Sequence, residues 1–315
     1  MKYAIALDVG GTSMKAALVG TDGTVLHRSE RPTRRERGPE AVVGSILDFA
    51  ADLGEEGLGR YGVPAASAGV VVPGVVDAGG GTAVYAANLG WRDVPLRALL
   101  AARLSPSDGS RLPVALGHDV HAGGLAESRI GAGGGVDRSL FLALGTGIAG
   151  AIGIDGRTEV GAHGAAGEIG HIVVRPDGPR CGCGRDGCLE TVASASAVSR
   201  AWAAACGDPE ADAADCARAV ESGDARALAV WQQAVDALAD GLVTAVTLLD
   251  PRVVIIGGGL AKAGDTLLAP LRSAVLRRIT FQRTPHIVPA ALGDIAGCLG
   301  AALLAWDLLA TEVPN

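Results

Sequence analysis

Apolar residues fall into short runs separated by glycine-rich turns in the first part of the chain. Residues 3–9 are apolar around Asp8, a turn of two glycines and a threonine follows, and the apolar run resumes at residues 14–19. This pattern predicts a strand, a tight turn and a second strand. Further along, it predicts a hairpin strand that begins at residue 25, a helix at 39–53 and a buried strand at 66–72.

The second half of the chain opens in the same way as the first. A predicted strand at 139–144, a Gly-Thr-Gly turn and a strand at 148–154 repeat the opening pattern, although not its letters. Two such units indicate two related α/β domains that face each other across a cleft, with bounds of 1–117 plus 299–315 and 118–298. The pattern also predicts helices at 95–104, from 118, through most of 191–249 and at 298–309, strands at 112–116 and 252–256, and a polar loop at 105–111.

The composition is typical of a globular α/β chain. Hydrophobic residues make up 49% of the 315 residues and aromatic residues only 3%, so aliphatic side chains must form most of the core. The formal net charge of −7 argues against non-specific nucleic-acid binding. An arginine-rich segment at 28–37 allows a polyanion patch, but the interleaved Glu and Pro residues favour a solvated loop.

The position of the first predicted strand bears on localisation. It begins almost at Met1, and the sequence shows neither a signal peptide nor a run long enough to cross a bilayer. We therefore expect a cytoplasmic protein that binds no membrane. Six cysteines in a reducing compartment are better explained as ligands or core residues than as disulfides.

Three glycine motifs are candidates for phosphate binding, because glycines let backbone N–H groups approach an anion. The first follows an aspartate that can hold Mg²⁺ directly or through water. The third, at the end of a strand, can pack against adenine or present N–H groups to phosphate. An ordinary glycine hairpin explains any one motif, but three together are hard to explain by folding alone. The candidate residues are Asp8, Gly10, Gly11, Thr12 and Lys15, then Gly145, Thr146 and Gly147, and finally Gly257, Gly258 and Gly259.

Three cysteines lie within eight residues and follow a histidine by ten positions. Together His171, Cys181, Cys183 and Cys188 offer one imidazole and three thiolates, the ligand set of a closed tetrahedral zinc site. A redox dithiol is the alternative, but the spacing with a histidine favours metal. Four protein ligands leave no open position, so the zinc would pin an irregular loop and would not activate water.

Three carboxylates are candidates for the chemistry of a site. Asp119 lies between a predicted strand and a predicted helix, where it suits a general base, although position alone favours a helix N-cap. Glu168 and Glu190 bracket the predicted zinc loop, with His171 between them in sequence. Such a group suits hydrogen bonding to vicinal sugar hydroxyls, and simple solvent exposure of either glutamate is the alternative.

These motifs resemble the ROK family (repressors, open reading frames, kinases), whose sugar kinases include glucokinases, fructokinases and N-acetylhexosamine kinases. The resemblance covers nearly the whole chain. It implies an actin/hexokinase-like (ribonuclease H-like) fold and transfer of the ATP γ-phosphate to the 6-hydroxyl of a hexose, glucose or N-acetylglucosamine, with Mg²⁺ and structural Zn²⁺. The residues that carry it are Asp8-x-Gly-Gly-Thr, Leu144-Gly-Thr-Gly-Ile, Gly161 through Glu168-x-x-His171, Cys181-Gly-Cys-x4-Cys-x-Glu190 and the late Gly-Gly-Gly.

The resemblance also implies roles for individual residues. Asp119 corresponds to the family's catalytic base, and His171 would serve zinc through one ring nitrogen and sugar through the other. Asn88 would bind a sugar hydroxyl, and the backbone at Gly74 and Val75 would line the pocket near carbon 2. The complete set of implied sugar contacts is Gly74, Val75, Asn88, His118, Asp119, Glu168, His171 and Glu190.

One residue departs from the family pattern. ROK kinases usually carry Asn-Asp where this chain has His118-Asp119, and that asparagine touches the sugar. Histidine is larger, can donate one hydrogen bond and titrates near neutral pH. The departure bears on the identity of the sugar and not on the reaction.

Several alternatives to a glucose or N-acetylglucosamine kinase follow from the same resemblance. A kinase for N-acetylmannosamine or fructose and a catalytically silent sugar-binding or regulatory protein are both compatible with parts of the pattern. A standalone repressor needs a DNA-binding domain ahead of Asp8, where we expect none, and polyphosphate as donor lacks an extended basic signal. The family habit implies a homodimer or homotetramer.

Overall fold

The computed structural model describes residues 1–105 and 111–312, so most of the polar loop predicted at 105–111 lies outside it. The chain divides into two compact units. Unit 1 comprises Met1–Ala126, Ala162–Gly164 and the residues from Asp294 onward, and unit 2 comprises Glu127–Gly161 and Ala165–Gly293. The domain bounds given above from the sequence remain predictions.

Unit 1 is built on strands that come mostly before residue 119. Its elements begin with a β-meander, continue through a long helix and a group of short strands, and lead into the helix that starts at Asp119. In chain order they are β1 (Tyr3–Val9), β2 (Ser13–Gly20), β3 (Val25–Pro32), α1 (Pro39–Tyr61), β4 (Ser67–Val72), β5 (Val75–Asp77), β6 (Thr82–Ala86), β7 (Trp91–Val94), α2 (Leu96–Leu104), β8 (Val114–His118) and α3 (Asp119–Ile130).

Unit 2 contains a second sheet and a group of helices, and a last helix returns to unit 1. The elements are β9 (Arg138–Leu144), β10 (Ile148–Ile154), β11 (Arg157–Glu159), α4 (Leu189–Ala193), α5 (Ala195–Cys206), α6 (Ala213–Glu221), α7 (Ala225–Leu249), β12 (Val253–Gly257), α8 (Asp265–Arg278), β13 (His286–Pro289) and α9 (Ala296–Glu312).

The two large sheets have the same strand arrangement. In unit 1 the order is β3-β2-β1-β4-β8, with β1, β2 and β3 antiparallel and β1, β4 and β8 parallel. In unit 2 the order is β11-β10-β9-β12-β13 with the same orientations. The internal repeat predicted from the two glycine hairpins is therefore a repeat of sheet topology. A small antiparallel sheet, β5-β6-β7, belongs to unit 1.

Helix α1 shows how the sequence builds the core of unit 1. It starts with Pro39, which suits the first helical position because its missing N–H needs no partner there. It ends at Tyr61 and is capped by Gly62, which adopts φ +68°. Val42, Ile46 and Phe49 are buried along one face at helical spacing. That face joins the apolar side chains of β1 and β4 in one core cluster.

Helix α9 is the most apolar helix of unit 1. With the turn before it, the segment Gly293–Thr311 has a mean hydropathy of 1.4 and is long and apolar enough to cross a membrane, contrary to our expectation from the sequence. However, Cys298, Ala301 and Ala305 are fully buried. Gly69 of β4 has no side chain, and a Cβ there would collide with the Ala301 carbonyl. Thus α9 packs closely on the sheet as a core helix does.

Candidate active site

The first glycine turn is held from one side by Thr33. The Thr33 N–H donates to the Thr12 carbonyl at 2.9 Å, and its hydroxyl donates to the Gly10 carbonyl at 2.6 Å. Because a trans peptide directs its N–H opposite to its C=O, the next two N–H groups, those of Gly11 and Ser13, point away from Thr33. This arrangement is suited to binding an anion, and sequence reasoning missed Thr33 because its partners lie more than twenty residues away.

Asp8 precedes this turn and is closely covered by α9. A Cβ at Gly297 would collide with the Asp8 carboxylate, so only glycine lets the helix approach there. Asp8 and Lys15 are cross-strand partners in the hairpin. The Lys15 ammonium lies 3.9 Å from the carboxylate of Asp294, a residue that sequence reasoning also missed.

The charge on Asp8 is disfavoured in the folded chain. Burial, and next the negative charge of Asp119, raise the pKa of Asp8 to about 7, while Lys15 opposes the shift. Unit 1 therefore places two of the predicted carboxylates, Asp8 and Asp119, within electrostatic reach of each other. A cation at this position would relieve both charges, which agrees with the prediction of a Mg²⁺ ligand at Asp8.

Asp119 is the first residue of α3 and follows directly on β8. Its side chain is 29% exposed, and its Oδ1 accepts the Val120 N–H at 2.7 Å. His118 Nε2 lies 3.4 Å from the same oxygen, and the His118 ring packs on the His121 ring at a centroid distance of 4.9 Å. The strand-to-helix junction thus holds the carboxylate at the edge of the sheet without burying it.

The remaining sugar-binding candidates of unit 1 lie on irregular segments. The amide nitrogen of Asn88 lies against Gly11, because a Cβ built there would be 3.2 Å from it. Gly74 has φ +90°, and a Cβ there would collide with the Tyr85 carbonyl, so the turn into β5 requires glycine. Val75 follows with its side chain exposed. Asn88 is therefore placed beside the first glycine turn.

The second glycine turn, in unit 2, is closed by its own backbone. The Gly145 N–H donates to the Gly147 carbonyl at 3.0 Å, and Thr146 between them is exposed. The carboxylate of Glu190 lies over Gly147, since a Cβ there would be 2.8 Å from Glu190 Oε2. The turn and the predicted sugar ligand Glu190 are thus neighbours within this unit.

The third glycine motif adjoins the second. Gly258 has φ +87°, and a Cβ on it would lie 2.6 Å from the backbone of Leu144, the residue before Gly145. Gly257 lies similarly close to the ring of Phe141, whereas Gly259 has open space around it. Unit 2 therefore brings together the two glycine turns that the sequence assigns to the nucleotide.

The four predicted metal ligands converge. One donor atom from each of His171, Cys181, Cys183 and Cys188 lies within 4.8 Å of the others. Cys181 Sγ is 3.5 Å from His171 Nδ1, and Cys183 Sγ is 3.6 Å from Cys188 Sγ. A tetrahedral zinc with bonds of 2.0–2.3 Å requires edges of about 3.5–3.8 Å. The donor set therefore fits zinc, and these two distances match edges of its tetrahedron.

The three thiols differ in their ease of ionisation. Hydrogen bonding from the Arg185 backbone lowers the pKa of Cys183 to about 6, whereas burial raises the pKa of Cys181 to about 12 and also raises that of Cys188. Two of the four ligands thus favour the thiol form without a cation. A metal ion that binds here must displace their protons.

His171 uses its two ring nitrogens in different directions. Nδ1 faces the cysteines and lies 3.6 Å from Glu190 Oε1, whereas Nε2 lies 3.7 Å from Glu168 Oε2. This geometry suits the predicted division, with one nitrogen for metal and the other beside a carboxylate. Within unit 2, Glu168, His171 and Glu190 therefore form one polar group.

An ionic network that sequence reasoning did not anticipate anchors the predicted zinc loop. Arg175 donates to Asp240 Oδ2 of α7 at 2.7 Å, and Arg278 of α8 donates to Asp240 Oδ1 at 2.6 Å. Arg278 also donates to Asp236 at 2.8 Å. The loop that follows His171 is thus fixed to two helices by charge-assisted hydrogen bonds.

Comparison with known proteins assigns the chain to a family. The ROK family model matches residues 4–307. A glucokinase from Thermotoga maritima is 37% identical over 314 residues, which cover 95% of each chain. The structure of a ROK hexokinase from Thermus thermophilus has a TM-score of 0.86 and 34% identity, covering 98% of this chain and 100% of that one.

A ROK family glucokinase from Streptomyces griseus, solved in complex with glucose and AMPPNP, has a TM-score of 0.80 and 32% identity. The match covers 97% of this chain and 99% of that one. The likeness extends over nearly the full length of both proteins and includes both units. The chain therefore belongs to the ROK family and has the actin/hexokinase-like fold of its sugar kinases.

Proposed function

We propose that the protein is an ATP-dependent hexose kinase that transfers the γ-phosphate of ATP to the 6-hydroxyl of a hexose. The position of Asp119 is the main structural support for phosphoryl transfer. Asp119 stands at the start of α3, partly exposed, in the unit that also holds the first glycine turn and the buried Asp8. The ROK glucokinase relatives support the reaction class.

Asp119 acts as the general base. As the sugar hydroxyl attacks, a bond forms between its oxygen and the γ-phosphorus, and the bond from that phosphorus to the β–γ bridging oxygen breaks. The hydroxyl proton passes to the Asp119 carboxylate, and ADP leaves with the bridging oxygen. Phosphoryl transfer asks little covalent chemistry of the protein, so positioning and charge do most of the catalysis.

The glycine turns bind ATP. The N–H groups of Gly11 and Ser13 and the ammonium of Lys15 face phosphate oxygens, and the turns at Gly145–Gly147 and Gly257–Gly259 line the nucleotide. Asp8 is the residue that would hold Mg²⁺, which when bound neutralises charge on the phosphates. The raised pKa of Asp8 without a cation supports this role.

Polar side chains bind the hexose hydroxyls. Glu168, His171 and Glu190 bind around carbons 1 and 2, Asn88 and His118 bind further hydroxyls, and the backbone at Gly74 and Val75 faces the carbon-2 substituent. His171, Cys181, Cys183 and Cys188 would hold a structural zinc, which would fix the loop that carries Glu168, His171 and Glu190. Glucose and N-acetylglucosamine are the preferred candidates, ahead of N-acetylmannosamine and fructose.

The proposed localisation, oligomeric state and partners are those expected of a member of this family. We propose a cytoplasmic homodimer or homotetramer whose partners are hexose and ATP, with neither nucleic acid nor membrane among them. The net charge of −7 supports the exclusion of nucleic acid. Size-exclusion chromatography with light scattering measures the oligomeric state directly.

The test is an ADP-release assay with ATP·Mg²⁺ against glucose, N-acetylglucosamine, N-acetylmannosamine, mannose and fructose. We expect one sugar to be preferred, and ³¹P NMR of the product to show a 6-phosphate. Zinc analysis of protein purified without added metal should give one zinc per chain. Folded, zinc-loaded protein that releases no ADP with any of these sugars would favour a silent sugar-binding protein.

A further inference from the structure

His118 differs from the family's asparagine, and its surroundings are asymmetric. The side chain is 16% exposed, and Nε2 lies 3.4 Å from Oδ1 of Asp119. Nδ1, in contrast, is buried and has no hydrogen-bond partner among the residues that the structure describes. The imidazole therefore has one nitrogen directed at the proposed base and the other enclosed.

This asymmetry decides which nitrogen carries the proton of the neutral ring. A proton on Nδ1 would bury a donor without an acceptor, and it would leave the Nε2 lone pair against the Asp119 carboxylate oxygen. A proton on Nε2 removes both penalties, because the N–H then faces the carboxylate. The surroundings thus favour the Nε2–H tautomer.

With this tautomer, two N–H groups lie near one oxygen of Asp119, and one of them already donates to it. Oδ1 accepts the Val120 N–H at 2.7 Å from one side and faces the His118 Nε2–H at 3.4 Å. The His118 contact is too long or poorly aligned to count as a hydrogen bond here, and catalytic hydrogen bonds of this kind commonly tighten when substrate binds. Two donors on Oδ1 fix the plane of the carboxylate and leave Oδ2 to accept a proton.

The charges near Asp119 explain why its carboxylate needs a second donor to hold its orientation. When both are ionised, Asp8 and Asp119 repel each other, and Lys15 acts on Asp8 in the opposite sense. A carboxylate held only by its own helix terminus would be free to turn away from that repulsion. Asparagine at position 118 is too short for the task, because its amide nitrogen matches the place of Nδ1 and not of Nε2.

We propose that His118 is a positioning residue for the base: its Nε2–H donates to Oδ1 of Asp119 and directs Oδ2 at the sugar hydroxyl. This inference rests on the proposed kinase function, in which Asp119 takes the hydroxyl proton. Positioning the base is a different role from the sugar contact that the family resemblance implies for an asparagine at this position.

Two substitutions distinguish the contribution of His118 Nε2 from that of Nδ1. The amide nitrogen of Gln in His118→Gln matches Nε2, whereas that of Asn in His118→Asn matches Nδ1. With the preferred sugar, we expect kcat of H118Q to stay within about threefold of wild type and kcat of H118N to fall about tenfold, the value of one hydrogen bond to a charged group. The KM for ATP should remain unchanged in both.

A sugar-contact role alone gives a different pattern. In that case H118N would keep the wild-type kcat and change only the sugar KM or the sugar preference, and the proposal would be overturned. A purely structural role would lower the stability of both variants and reduce the activity of H118Q as well. Urea unfolding of both variants, together with the rescue by glutamine, distinguishes these outcomes.

A second measurement does not depend on activity. ¹⁵N NMR of histidine-labelled protein reports the tautomer of each of the six histidines, and H118Q identifies the signal of His118. We expect an Nε2–H tautomer whose signal moves in Asp119→Asn. An Nδ1–H tautomer, or no response to D119N, would contradict the proposal. An intact Nε2–H signal in a protein inactive on every hexose would instead contradict the kinase function.

Discussion

The hairpins that head the two sheets occupy the same place in the strand order but differ in charge. In unit 1 the second residue before the turn is Asp8, and its cross-strand partner is Lys15. In unit 2 the corresponding position before the turn is Ala143, and its partner is Ala149. Both strands continue the pattern with one antiparallel and one parallel neighbour. One topology therefore supports a charged hairpin in one unit and a neutral hairpin in the other.

The side chains around the two glycine turns also differ in charge and in the groups that lie next to them. The unit 1 turn adjoins Asp8, Asp119 and Lys15, whose charges act on one another. The unit 2 turn is covered by Glu190, which follows directly on the cysteine cluster. The comparison suggests that unit 1 carries the reacting groups, whereas unit 2 contributes binding groups that a metal fixes in place. Five predictions follow, and they begin with the two that test this division most directly.

The largest effect should come from the base. Asp119→Asn removes the proton acceptor and keeps the shape, so we expect kcat to fall about 10²–10⁴-fold, the usual contribution of a general base. Sugar affinity should remain within about threefold. The ADP-release assay gives kcat, and isothermal titration calorimetry gives the sugar Kd.

The unit 2 counterpart of this variant is Glu190→Gln. It should raise the sugar KM about tenfold, the value of one lost hydrogen bond to a charged group, and change kcat only a few-fold. If E190Q lost as much kcat as D119N while keeping its sugar KM, the division of labour between the units would be wrong. Near-normal turnover of D119N would remove Asp119 from its role.

The metal site should come next. Cys188→Ser exchanges a fully buried, proposed zinc ligand for a hydroxyl, and we expect loss of zinc with about 3–4 kcal/mol less stability, since loss of a metal site is among the causes of large destabilisation. Amide hydrogen exchange should rise across residues 171–190. Because burial raises the pKa of Cys181 and Cys188, protons compete with metal, and zinc affinity should weaken as pH falls.

Cys216→Ala provides the control for this experiment. Cys216 is as deeply buried as Cys188 but lies outside the cluster. The variant should keep one zinc per chain and normal exchange at 171–190. Equal losses in C216A and C188S would show that a buried sulfur, and not metal binding, stabilises unit 2.

A smaller effect should separate two adjacent glycines. Gly258→Ala introduces a Cβ 2.6 Å from the Leu144 backbone at φ +87°, so we expect about 2–3 kcal/mol of destabilisation and a higher KM for ATP. Gly259→Ala has φ −61° and open space, and should be neutral or stabilising by about 0.5 kcal/mol. Urea unfolding and ATP titration compare them, and equal behaviour would contradict the close packing of the two turns.

The parts that the sequence predicted are those with strong local signals. The bounds of β1 and β10 agree with the apolar runs at 3–9 and 148–154, because buried strands show as unbroken apolar segments. The four candidate metal ligands were predicted from their residue types and spacing, and their donor atoms converge. The glycine turns were predicted because glycine marks a backbone conformation that other residues avoid.

The parts that it missed depend on contacts distant in sequence or on weak local patterns. The small sheet β5-β6-β7 has strands of only three to five residues, too short for a periodicity to show. Helix α8 contains Pro270, which argues against a helix in any local analysis. Thr33, Asp294 and Gly297 act on the first turn from segments far along the chain, where only the folded structure reveals them.

The smallest expected effect is on the pH dependence of the unfolding free energy, and it comes from Asp8 in the charged hairpin of unit 1. Burial, and then the charge of Asp119, raises the pKa of Asp8 from 3.8 to about 7. Between about pH 4 and 7 the folded chain therefore keeps a proton that the unfolded chain has released, and stability from this group falls as pH rises through the window. Asp8→Asn cannot lose a proton and should escape the penalty.

A shift of about three pKa units corresponds to about 4 kcal/mol, and the amide retains part of the cost of burial. We therefore expect D8N to exceed wild type in unfolding free energy by about 1–2 kcal/mol at pH 8, without Mg²⁺ or nucleotide, and to lose this advantage toward pH 5. Urea unfolding at both pH values measures the difference, with the exposed Asp48→Asn as control. A difference between D8N and wild type that is independent of pH would mean that Asp8 is already ionised in the folded chain at pH 5. In that case the charge on Asp8 would cost the folded chain no stability, and the charged hairpin would be no less stable than the neutral one.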